Sequence, residues 1–175
     1  MKITAQDIQK LRGKTGVGVM DCKQALQESK GDFEQAIKLL RKKGVAIAAK
    51  KSAREAREGR IEAYVHLHNK IGVLVEVNCE TDFVCRNEEF IQFTRDLAMQ
   101  IAALEPSYLK KEDVPAAVAK EHKDGLDEFY QSHCLLEQAF IKDDQKTIGE
   151  YLTELIAKTG ENIVVRRFTR FQLGE

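Results

Sequence analysis

The chain has no run of about 18 apolar residues, so no membrane-spanning helix is expected. Residues 1–6 lack the apolar core of a secretory signal, and no Arg- and Ser-rich transit segment precedes the first helix signal. A cytoplasmic setting is therefore expected. Cysteine is scarce. The four thiols, Cys22, Cys79, Cys85 and Cys134, form no CxxC pair, and 175 residues can bury a core without disulfide staples. Reduced cysteines are the default. Internal repeats and low-complexity tracts are absent. So are HExxH, GxSxG and any paired-carboxylate context, and nothing nominates a nucleophile with its base, so an enzyme is not expected.

Net charge is also missing, but only in sum, since 28 Lys and Arg balance 28 Asp and Glu. Residues 1–60 carry 15 basic and 7 acidic side chains, and residues 61–175 carry 13 and 21. Two modules with different electrostatic surroundings are implied.

Helical spacing fills the first module. Thr4 with Asp7 resembles a capping box, Ile8 and Leu11 supply a stripe, and Gly13 is a stop. Gly16 and Gly18 make a tight turn before Val19, Cys22 and Leu26. Gly31 ends that helix and Asp32 caps the next, which bears Phe33, Ala36, Ile37 and Leu40 and closes at Gly44. The expected division is a three-helix bundle over residues 1–44, a solvated helical connector over 45–59 ended by Gly59, and an α+β core over 60–175. In the core, Ile61, Ala63, Val65 and Leu67 alternate with Glu62, Tyr64, His66 and His68, and Asn69-Lys70 turns the hairpin. The returning strand lines Ile71, Val73, Val75 and Val77 on one face. Asn87 caps a long helix whose Phe90, Leu97, Ile101 and Leu104 face inward until Pro106. Val114-Pro115 opens another helix, broken near Asp124-Gly125. Residues 126–141 are apolar without a clean period. Thr147 and Glu150 open a last helix. Residues 163–171 are β-branched and aromatic and complete a three-stranded antiparallel sheet.

Several patterns invite chemistry. Gly13-Lys14-Thr15 lacks the glycine five residues earlier that a phosphate loop needs: Ile8 stands there, and no strand precedes it. His66, His68, Cys79 and Cys85 could offer metal ligands, but alternating histidines on a strand face are more simply solvated, and no metal or other cofactor is expected. The basic run Arg41-Lys42-Lys43, Lys50-Lys51, Arg54, Arg57 and Arg60 could touch phosphates and would make the chain an RNA- or ribosome-binding adaptor. Glu55 and Glu58 interrupt it, however, and residues 34–63 lack aromatic side chains for stacking on bases. Specific nucleic-acid binding is not expected. The remaining oddity is the polar turn Asn78-Cys79-Glu80-Thr81-Asp82-Phe83-Val84. Phe83 either folds under the following helix or is presented to a partner.

Three separated motifs carry a resemblance. They are Thr15-Gly16-Val17-Gly18-Val19-Met20-Asp21-Cys22-Lys23 with Leu11-Arg12 before it, Val77-Asn78-Cys79-Glu80-Thr81-Asp82-Phe83-Val84 followed by Asn87, and Gly160-Glu161-Asn162-Ile163-Val164-Val165-Arg166-Arg167-Phe168. Together they resemble bacterial elongation factor Ts in its compact, single-core form, over nearly the whole chain. The resemblance implies a ubiquitin-associated-like N-terminal bundle and a guanine-nucleotide exchange factor for elongation factor Tu, in its GDP-bound and nucleotide-free states. It implies that Thr81, Asp82, Phe83 and Val84 enter the partner near its magnesium. It further implies that Arg12, Met20 and Lys23 contact the same nucleotide domain, and that the core grips a second partner domain. A homodimer is left open. Two departures stand out: residues 119–135 fall about twenty residues short of compact relatives, and Val19 stands where the family often has Met.

Overall fold

In a computed structural model, residues 3–175 are described. The chain divides into two compact units, Met1–Arg54 with Thr153–Asn162, and Glu55–Leu152 with Ile163–Glu175. The architecture is α+β, with a three-stranded antiparallel sheet packed by helices.

The first unit contains α1 (Ala5–Thr15), α2 (Val19–Glu28) and α3 (Phe33–Lys51). Leu11, Cys22, Ala25, Leu26, Ala36 and Leu40 form its core. The Thr4 box is complete: the Thr4 N–H and hydroxyl donate to Asp7 Oδ2 at 2.9 and 2.7 Å, and the Asp7 N–H donates to Thr4 Oγ1 at 3.2 Å. Gly13 does not stop α1. The left-handed residue that ends it is Gly16, at φ 67°, whose N–H reaches the Arg12 carbonyl. Gly44 does not close α3 either. It is buried, and a methyl group there would only just meet Ala157 and Thr153 of α8 (Ile148–Thr159), at 3.5 and 3.6 Å. A glycine inside a helix costs about 1 kcal/mol, and since those are ordinary contact distances the site would also admit an alanine; with no left-handed φ at Gly44, nothing there ends the helix. The helix therefore runs on to Lys51.

The second unit is built on the sheet, in order β1 (Glu58–Val65), β2 (Ile71–Cys79), β5 (Ile163–Gln172). Gly59 lies inside β1 rather than ending a helix. Central β2 buries Val73, Val75, Val77 and Cys79, against which α5 (Glu88–Leu104) packs. Along α5, Phe90, Phe93, Leu97 and Ile101 are buried, whereas Leu104, at the last turn, is exposed. In an antiparallel ladder, opposed residues point to the same face. Tyr64 pairs with Val73, Glu62 with Val75 and Arg60 with Val77, so the polar set of β1 is turned inward. There Arg60 Nε meets Glu62 Oε2 at 2.7 Å, and the Thr94 hydroxyl donates to the same oxygen at 3.4 Å. Ile61 and Val65 consequently face out, against the usual sense of an alternating edge strand. On β5, Glu76 pairs with Arg167 and Val77 with Val165, so Arg166 is the extra residue of a bulge. That shift of parity lets Val165 and Phe168 share the inner face.

The aperiodic stretch resolves into α7 (Leu126–His133), which follows α6 (Ala116–Glu121), and a hairpin of β3 (Ala139–Phe140) with β4 (Asp143–Thr147). It folds round two buried amides. The Gln100 amide donates to Gln138 Oε1 and to the Ala139 carbonyl, and its oxygen accepts from the Ile141 N–H. Gln138 in turn donates to the Leu104 and Ser132 carbonyls. Thr147 and Glu150 form the reciprocal box that starts α8.

Two outcomes follow from this architecture. Gly59 has φ 156°, and a Cβ there would collide with the Val77 carbonyl oxygen and lie 2.8 Å from Asn78 Cα. Gly59→Ala should therefore cost about 1–3 kcal/mol in urea unfolding, while Gly72→Ala, which meets nothing within 4 Å, should change stability little. The Asp7 carboxyl is held below its ordinary value, first by the Thr4 hydroxyl and then by the Thr4 N–H. Because the folded value is the lowered one, the cap's contribution is complete above the ordinary carboxylate range and fades as pH falls through that lowered value. An NMR titration should place the Asp7 midpoint low, and Thr4→Ala should return it upward.

Candidate functional site

β2 ends at Cys79, and the chain turns through Glu80 into extended Thr81, the residue before α4 (Asp82–Cys85). This single helical turn is tied off at once. The Arg86 N–H donates to the Phe83 carbonyl at 3.3 Å, and the Asn87 N–H to the Val84 carbonyl at 3.0 Å. Asn87 then caps α5, its side chain accepting from the Glu89 N–H at 2.7 Å. Val84 is buried and anchors the turn, while Phe83 is 80% exposed. Of the two readings of Phe83, packing under the following helix is overturned. The benzyl side chain is held in water on a braced turn and is not part of the core. Beside it, Asp82 Oδ2 accepts from Arg86 at 2.8 Å in an exposed i,i+4 pair. Such pairs contribute at most about 0.5 kcal/mol, so Asp82 can exchange Arg86 for another donor at little cost.

Two thiols lie under this turn. Cys79 Sγ and Cys85 Sγ are 3.3 Å apart; the Cys79 thiol donates to the Thr81 carbonyl at 3.2 Å and the Cys85 thiol to the Gly59 carbonyl at 3.4 Å. The histidines offered with them as metal ligands are elsewhere. Cys79 pairs with Glu58 at one end of the hairpin and Gly72 with Val65 at the other. At about 3.3 Å per residue, His66, eight residues beyond the Glu58 that opposes Cys79, stands roughly 26 Å from the thiols along the strand. Among the described residues no group of three or more His, Cys, Asp or Glu could hold a metal ion. Cys134 is different again, since burial pushes its thiol pKa up.

In the first unit, Met20 is 71% exposed, and Arg12 and Lys23 are exposed as well. Met20 and Lys23, three apart on α2, share a face. The phosphate-loop reading fails on context, for Gly13, Lys14 and Thr15 are the last residues of α1 and the Thr15 hydroxyl donates to the Leu11 carbonyl. The basic run is broken up. Lys43 meets Asp21 at 2.6 Å, Arg57 meets Glu55 at 2.7 Å, and Arg60 meets Glu62. No helix among the described residues is long and apolar enough to cross a membrane.

The outer face of the sheet was not anticipated. Opposed pairs put Ile61, Ala63, Val65, Leu74, Thr169 and Phe171 together on it, with Ile61, Val65, Leu74 and Phe171 exposed. The alternation of β1 was visible in the sequence, but not which of its two faces the register would bury.

Comparison with known proteins decides the family. The family model described as Elongation factor TS matches residues 5–128 and 124–175. This chain belongs to the elongation factor Ts family, a family of translation elongation. The protein named Elongation factor Ts from Caldanaerobacter subterraneus subsp. tengcongensis is 50% identical over 195 aligned residues, covering 99% of this chain and 98% of its own. That of Thermodesulfovibrio yellowstonii is 50% identical, covering 100% and 98%, and that of Geobacter sulfurreducens 48%, covering 100% and 91%. An alignment of 195 positions against 175 residues leaves at least 20 where this chain has none. The two stretches of the family match overlap at 124–128, inside residues 119–135, the segment expected from the sequence to be short.

Phe83 is solvated in the free protein, so its removal should leave stability unchanged within about 0.5 kcal/mol. Val84→Ala, which empties a buried anchor, should lower the urea midpoint clearly.

Proposed function

We propose that this chain is a guanine-nucleotide exchange factor for elongation factor Tu, acting in the cytoplasm during translation elongation. It speeds GDP release by inserting Thr81, Asp82, Phe83 and Val84 near the partner's magnesium and nucleotide site. The observation that carries this is the 80% exposure of Phe83 on a turn braced by buried Val84, inside the family motif. Magnesium demands near-ideal octahedral geometry, so a ring wedged beside it loosens the hold on the GDP phosphates. Asp82, released from Arg86, takes donors that the nucleotide site would otherwise use. Arg12, Met20 and Lys23 add a second contact from α1 and α2. Nothing covalent is made or broken. What weakens GDP binding is itself bound more weakly when GDP is present, which returns the factor for another round.

Stopped-flow release of labelled GDP from the cognate partner tests this. Wild type should accelerate release strongly. Phe83→Ala should lose about 2 kcal/mol of that effect, roughly thirtyfold in rate, while remaining folded. An unchanged rate would overturn the wedge.

Self-association belongs to the same proposal. The outer sheet face exposes Ile61, Val65, Leu74 and Phe171 beside the Glu76–Arg167 ion pair, and a two-fold axis would set this patch against itself as sheet on sheet. Equilibrium sedimentation should show a concentration-dependent dimer that Phe171→Asp abolishes; a monomer at all concentrations would remove it.

A further inference from the structure

The two thiols under the turn have no part in the exchange reaction as described, and their placement is specific. Both are free. Cys79 is fully buried at the end of β2, and Cys85 is half-buried at the end of α4. Their sulfurs, at 3.3 Å, already touch. A disulfide bond needs about 2.05 Å, so a movement of little more than 1 Å, well within one short helical turn, would join them. The seven-residue ring so closed contains Thr81, Asp82, Phe83 and Val84.

We propose that Cys79 and Cys85 are a redox modification site, closing to an intramolecular disulfide on exposure to a peroxide and reopening with a thiol reductant. Cys85, the accessible member, attacks one peroxide oxygen as its thiolate. The O–O bond breaks, Cys85 becomes a sulfenic acid, and the other oxygen leaves as water. The Cys79 thiol then attacks the Cys85 sulfur. The S–S bond forms, the S–O bond breaks, and a second water departs. In sum two thiols are oxidised and one hydrogen peroxide is reduced to two waters. Burial of Cys79 beside its partner keeps it from competing reactions and makes it the resolving thiol.

The bond changes the turn itself. Both sulfurs lose their hydrogens, so the Thr81 carbonyl loses the donor from Cys79 and the Gly59 carbonyl the donor from Cys85. Thr81 is the residue from which α4 starts, and the pull on Cys85 acts at its other end. Phe83 is therefore re-aimed. This consequence rests on the exchange reading above; the disulfide does not. Misplacing a positioned group by about 1 Å can cost up to a hundredfold in a geometry-dependent rate, and about tenfold is expected here.

The test uses the full chain, reduced and then treated with a small excess of hydrogen peroxide that is removed before assay. Remaining thiols are alkylated and the protein mapped by mass. The expected product is lighter by two hydrogens, joins the peptides of Cys79 and Cys85, leaves Cys22 and Cys134 alkylated, and reverts with dithiothreitol. Cys85→Ala and Cys85→Ser, each checked for an unchanged melting profile, should not form it. Overoxidised Cys85 with Cys79 still free, a disulfide between two chains, or no oxidation would each overturn the site. In GDP release, the oxidised wild type should be about tenfold slower than the reduced, and Cys85→Ala indifferent to treatment. Equal rates for oxidised and reduced protein would overturn the switch. A reduced wild type that fails to accelerate release would instead overturn the exchange reading and leave the disulfide standing on its chemistry.

Discussion

Burial of Val73, Val75, Val77 and Cys79 beneath α5 is the constraint on which the second unit depends. Hairpin register is not free once one strand has committed a face, because a slip of one residue would expose the whole apolar row. With β2 committed, β1 must present Arg60, Glu62 and Tyr64 inward and Ile61 and Val65 outward. The half-buried carboxylate of Glu62 is tolerated because Arg60 and Thr94 both donate to it. The same commitment pins Gly59 against the backbone of β2, where no side chain fits, and fixes where β2 ends and hence where the turn at 81–84 begins.

The turn divides its residues by what each is given to do. Val84 and Cys79 hold it to the core; Phe83 is left in water. Keeping a phenyl ring solvated forgoes roughly 2 kcal/mol of burial within this chain. Asp82 is held by an exposed pair weak enough to exchange. In the exchange function proposed here, rigid support under a solvated aromatic would let binding energy go into the partner rather than into ordering the turn.

The region after α5 follows a different rule. Hydrophobic period is a poor guide there because its organising residues are polar: Gln100 and Gln138 meet in the interior and satisfy three backbone carbonyls, those of Leu104, Ser132 and Ala139. A buried amide specifies position through hydrogen bonds rather than through spacing, so residues 126–141 carry no repeating pattern to read. Residues 119–135 abut this network, the Ser132 carbonyl accepting from Gln138, and the chain closes over it with two short helices and a small hairpin.

Local signals were legible wherever the deciding contact is local. The boxes at Thr4 and Thr147, the cap at Asn87, the strand period of 71–77 and the family motifs all lie within a few residues, and each proved readable in place. Gly13 and Gly44 misled as helix stops because a glycine marks a helix end where a left-handed φ is needed, and neither has one; Gly16, at φ 67°, does. Sequence alone thus determined the α+β class, the family and the identity of the turn. Tertiary structure decided which face of β1 is inside, that Phe83 is solvated, and that Cys79 and Cys85 touch while the histidines do not. These are long-range facts: they depend on which strand commits its face first, and no residue's own neighbours carry that information.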